Sequence, residues 1–83
     1  MMTKDDAIEM ANNFLAREMG PEPKMAGERC ELIPVSAHAD INRRWRILYR
    51  FNLIDSPGSV VDSSLIVIVD PATGEVRAGE LNL

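Results

Sequence analysis

The stretch Leu65-Ile66-Val67-Ile68-Val69-Asp70-Pro71-Ala72-Thr73-Gly74-Glu75-Val76-Arg77-Ala78 decides the fold. Its first five residues are apolar, and four of those are β-branched. Branched side chains are stiff at the first torsion and suit a pleated surface better than a helix. The run is too short for a stable helix and is bounded by turn residues, so it reads as a strand. Asp70 can accept hydrogen bonds from amides ahead of it, Pro71 presets the angle for the second position of a type I turn, and Gly74 can take a left-handed conformation. Val76 and Ala78 then resume a short final strand. The stretch is an antiparallel hairpin.

Working outward, the preceding segment shows the clearest alternation in the chain. From residue 45 to residue 54, Trp45, Ile47, Tyr49, Phe51 and Leu53 share one side, while Arg44, Arg46, Leu48, Arg50, Asn52 and Ile54 share the other. The first set should pack inward and the half-cationic second set should face water. Residues 55–59, Asp-Ser-Pro-Gly-Ser, are a loop, and residues 60–63 extend that loop or begin the next strand. Upstream, a strand begins at Glu28. Cys30, Leu32 and Pro34 share one face of it, and Glu31, Ile33 and Val35 the other. Pro34 cannot donate a ladder hydrogen bond, which places this strand at an edge or ends it there. Residues 36–42 read as a loop or irregular hairpin, and residues 20–27 as a linker rich in Pro, Gly and Glu.

Residues 3–19 form an amphipathic helix on this reading. Thr3 is its N-cap, and Asp6 completes a variant capping box. Ile8, Ala11, Leu15 and Met19 make an apolar stripe, widened by Ala7, Met10 and Phe14. Gly20 suits the C-terminal cap, and Pro21 and Pro23 forbid continuation. The fold class is therefore α+β: one N-terminal amphipathic helix packed on a three- to four-stranded antiparallel sheet, in a single domain spanning residues 1–83.

Composition narrows the function classes. A hydrophobic fraction of 46% is too high for a disordered tail. No apolar run is long enough for a membrane span. The start Met1-Met2-Thr3-Lys4-Asp5-Asp6 lacks a basic region followed by an apolar one, so no secretory signal is expected and the chain is placed in the cytoplasm. The one cysteine, Cys30, permits no internal disulfide and reads as a buried, inert thiol. A net charge of −4 is opposite to that of a typical nucleic-acid domain, so no nucleic-acid partner is expected.

The catalytic inventory is thin. His38 is the only histidine and falls in the expected 36–42 loop; one histidine with one nearby carboxylate makes no zinc site. Cys30 with His38 is a conceivable nucleophile and base, but nothing marks the thiol as activated. Gly58, Gly74 and Gly79 are isolated and make no phosphate loop, and Asp55, Asp62 and Asp70 are scattered. The expectation is a non-enzyme with no catalytic residues, cofactor or metal. The one unusual surface feature is Arg43-Arg44-Trp45-Arg46 with Arg50 beyond it. Arginine forks bind carboxylates well and are enriched at binding hot spots. Arg43, Arg44, Arg46 and Arg50 are thus the candidate partner-binding residues for an acidic protein, against the plainer expectation of cross-strand pairing with Glu or Asp.

The order of helix, strands, Trp45-Arg46-Ile47-Leu48-Tyr49 and then Ile66-Val67-Ile68-Val69-Asp70-Pro71-Ala72-Thr73-Gly74-Glu75-Val76 resembles two families. One is the immunity protein 35 family of bacterial polymorphic-toxin systems, similar in its opening Asp6-Ala7-Ile8, its Trp-containing strand, its Val-Asp step and its closing Thr-Gly-x-Val. The other is the PepSY domain, similar in its closing hairpin and helix-on-sheet, cystatin/PepSY-like layout. The immunity resemblance implies a small inhibitor that binds and neutralises a cognate toxin domain by occlusion, without catalysis. A self-associating structural or PepSY-like ligand- or peptide-binding module is the competing expectation. Its homodimer would form through the sheet edge or the outer face, where outward Leu48 and Ile54 can seed an interface.

Overall fold

A computed structural model describes residues 2–25, 27–56, 58 and 63–82. The chain runs α1 (Lys4–Met19), β1 (Lys24–Met25), β2 (Glu28–Ala39), β3 (Trp45–Leu53), β4 (Ser63–Val69) and β5 (Val76–Asn82). The strands form an antiparallel meander in the order β1-β2-β3-β4-β5, in which β1 is a two-residue annex and four long strands make the sheet. The helix lies across one face.

The helix starts where local chemistry dictates. Thr3 accepts from the Asp6 amide, and the Asp6 carboxylate accepts from the Thr3 amide. These two bonds, the backbone one first, hold the Asp6 carboxyl below its ordinary value. Gly20 closes the helix at φ 75, and its amide donates to the Ala16 carbonyl. Ala7 and Ala11 have no exposed surface, so the helix backbone approaches the sheet closely there. They pack with Leu15 against Ala37, Ile47, Tyr49, Val67 and Val69, and Trp45, Leu32, Leu65 and Val76 flank this core. The inward set of the β3 alternation is therefore the core face, as the sequence pattern requires.

The β4–β5 hairpin closes through Asp70, whose amide donates to the Glu75 carbonyl. Its carboxylate accepts from the Ala72 amide, and Gly74 sits at φ 76 with its amide on the Asp70 carbonyl. The last strand extends to Asn82, past the Ala78 expected from the pattern, in unbroken register with β4.

Two expectations are corrected. Residues 36–39 are not a loop: β2 continues to Ala39 and pairs Ser36 through Ala39 with Leu48 through Trp45. A register shift between Pro34 and Ser36 absorbs Val35 as a bulge, so the strand bends past the proline instead of ending. The proline's missing N–H costs little because β1 reaches only Glu28 and Arg29, leaving the rest of β2 as an edge. The linker of residues 20–27 likewise contributes β1 instead of being wholly irregular. Ala26 of that linker, Pro57 and Ser59 of the expected 55–59 loop and residues 60–62 of the expected extension lie outside the described residues.

Helix and sheet are also tied by one polar bond. The Tyr49 hydroxyl donates to Asn12 Oδ1 at 2.6 Å. Burial pushes the Tyr49 phenol up to about 12. Since an unfolded tyrosine ionises near pH ~10, stability is fully present below that pH and falls as pH rises toward about 12. Tyr49 is the only tyrosine, so phenolate absorbance reports it alone. A spectrophotometric titration should show no phenolate until the chain unfolds or pH nears 12, and Tyr49→Phe should make the alkaline slope in stability shallower, leaving the part due to the buried Cys30 thiol. Ionisation near pH ~10 with the fold intact would contradict this packing.

Candidate functional site

Because α1 covers only one face, no described helix or strand covers the other face of the sheet. Its residues follow from the register. A middle row runs Ser36, Leu48, Ile66, Gly79 across the strands. On one flank run His38, Arg46, Ile68 and Arg77, and on the other Ile33, Arg50 and Ser64. Rows on one face are ~7 Å apart along a strand, and neighbouring strands are ~4.8 Å apart. Ile33, Leu48, Ile66 and Ile68 are half-buried, while Arg46, Arg50, Arg77 and His38 are exposed. A shallow hollow of about 370 Å³ opens among Ser36, His38, Arg46, Leu48 and Ile66.

Of these four half-buried apolar residues, Ile66 and Ile68 come from β4. An antiparallel strand with one wet face should alternate, whereas a continuous apolar run is the pattern of a strand covered on both sides. Leu65, Val67 and Val69 point to the helix, so Ile66 and Ile68 face outward.

The sequence-predicted arginines divide. Arg46 and Arg50 stand on the uncovered face, and among the described residues neither is in an ion pair. The expected cross-strand pairing with carboxylates is thus absent at these two positions among the described residues. Glu31, in register with Asn52, is the one described carboxylate in the ladder on this face. Arg77, which the sequence reading did not single out, shares the face but is held by Glu75 at 2.6 Å.

Arg44 stands at the end of the face and is pinned in the β2–β3 turn. Its Nε is 3.3 Å from Asp40 Oδ2, an ion pair without hydrogen-bond alignment, and its amide donates to Asp40 Oδ1. Burial raises the Asp40 carboxyl, but the amides of Arg44 and Asn42 and the Arg44 charge outweigh it and hold the group below its ordinary value. Arg43 is drawn into the same turn at φ 61 and lies beside Trp45, Met2 and Pro71 at the sheet end, away from Arg46 and Arg50.

Cys30 and His38 are not brought together. Cys30 is buried at 2% exposure, with Sγ 3.5 Å from the Pro23 carbonyl, and burial pushes its thiol up. His38 sits eight residues along β2 on the opposite face, in register with Arg46, and is not in the loop expected from sequence. Asp55 of the scattered carboxylates is bound by Arg29 at 2.9 Å, a bond that lowers the carboxyl and raises the guanidinium. Asp70 is used by its turn, and Asp62 lies outside the described residues. Among the described residues no group of three His, Cys, Asp or Glu side chains is placed to hold a metal ion, and no helix is long and apolar enough to cross a membrane.

Comparison with protein-family models, curated proteins and solved structures finds no match to the chain.

The separation of roles among the arginines is testable by denaturation. Arg46→Glu with Arg50→Glu should change unfolding free energy by less than about 0.5 kcal/mol per site, since neither makes an ion pair among the described residues. Arg44→Glu should destabilise by placing a carboxylate against Asp40. The reverse order of effects would mean that the uncovered face is built for folding.

Proposed function

We propose that this chain is a small non-catalytic protein-binding domain that receives an acidic protein partner on its uncovered sheet face. It would act as an immunity-type inhibitor does, neutralising a cognate toxin domain in the cytoplasm of the producing cell by occlusion. The observation that supports this most is a face carrying half-buried Leu48 and Ile66 between the rows of Arg46 and Arg50, whose exposed guanidinium groups make no ion pair among the described residues. An exposed ion pair alone contributes only about 0.2–1 kcal/mol, whereas a charge desolvated beside apolar surface contributes more. Half-buried apolar side chains with charged groups beside them match the apolar core and polar rim of a protein interface.

In a chain of net charge −4, the ladder on this face sets Arg46 and Arg50 against Glu31 as its one described carboxylate. Such asymmetry steers an acidic partner to one side and speeds association. It also weighs against self-association through this face, since face-to-face copies would bring the arginines of the two copies together.

Affinity capture from the source cell, run with wild type beside the Arg46→Glu, Arg50→Glu variant, tests the proposal. The expected result is one stoichiometric protein retained by wild type and bound at least about a hundredfold more weakly by the variant. Equal retention by both would overturn the assignment of this face.

A further inference from the structure

Gly79 is a glycine that its own fold does not need. It lies inside β5, and its φ is not among the positive ones, which belong to Gly20, Gly27, Gly58 and Gly74. A Cβ placed on it would meet no atom within 4 Å. The β4–β5 register is continuous, so no bulge requires it. Glycine inside a strand weakens the strand, and its usual justifications are a bulge, a sharp bend or the close approach of something else. No bulge is present here. The third would come on the uncovered face, where Gly79 is in register with Ile66.

We infer that Gly79 is a docking hollow, in which an extended acidic segment of the partner seats one bulky apolar side chain against Ile66. This rests on the docking reading above and adds the partner's local chemistry. Arg46, Leu48 and Arg50 follow one another on this face at ~7 Å steps, the repeat of any extended strand. A segment reading acid-x-apolar-x-acid has the same repeat. Laid along the strands over β4, it sets its two carboxylates toward the rows of Arg46 and Arg50 and its central side chain on the row of Ile66 and Gly79. The pattern is palindromic, so it fits in either direction. A side chain at position 79 would occupy the space which that central residue takes.

A capped peptide Thr-Glu-Thr-Phe-Thr-Glu-Thr serves as probe, with one control carrying Lys for both Glu and another carrying Ser for Phe. Amide shifts of the full chain are followed in a nitrogen–proton correlation spectrum. The acidic peptide should move Arg46, Leu48, Arg50, Ile66 and Gly79, the controls should not, and Gly79→Val should weaken binding at least about tenfold while its thermal midpoint stays equal or rises. Unchanged binding by Gly79→Val overturns the hollow and leaves the docking face standing. Absence of shifts on this face overturns the acid-x-apolar-x-acid segment, and partner capture that is insensitive to Arg46→Glu with Arg50→Glu overturns the docking face itself.

Discussion

Everything in this fold depends on burying a strand that is apolar on both sides. Leu65, Val67 and Val69 are covered by the helix through Ala7, Ala11 and Leu15. A fully buried side chain of this size contributes about 1.5–3 kcal/mol, and a chain of 83 residues has few such groups. The two small alanines let the helix come close, and the capping box, the Gly20 terminus and the Tyr49–Asn12 bond position it. One helix can cover one face. Ile66 and Ile68, which the same strand turns outward, are half-buried and lie on the face away from the helix.

The electrostatics follow from that layout. Three cations are held within the chain, Arg29 by Asp55, Arg44 by Asp40 and Arg77 by Glu75. Arg46 and Arg50 flank the row of Leu48 and Ile66 and make no ion pair among the described residues. A face of this kind is soluble because its rim is charged. Two copies would repel across it, and an acidic surface would not.

Much of this was legible in the sequence where the signals are local. The Thr3–Asp6 box, the Gly20 stop and the Asp70-Pro71…Gly74 turn each rest on chemistry within a few residues, and the structure has all three. The alternation of β3 correctly separated core from surface. The extension of β2 through residues 36–39 was not legible. Ser36, Ala37, His38 and Ala39 have little strand propensity of their own, and pairing with Trp45 through Leu48 overrides it. Of the site, the outward arginines were readable, but the division of Arg43 and Arg44 from Arg46 and Arg50 depends on a turn built around Asp40. An unbroken apolar run carries no alternation to say which residues face out. The standing of Ile66, Ile68 and Gly79 on one surface therefore needs the register itself.

The most direct measurement of the central claim is the mass of the pure protein in solution, by sedimentation equilibrium at low ionic strength and the highest attainable concentration. An uncovered face reserved for an acidic partner predicts a monomer of 9.2 kDa, because Arg46 and Arg50 keep copies apart. A dimer that Ile68→Asp splits would contradict it, and would show instead that the second face of β4 is covered by the chain itself.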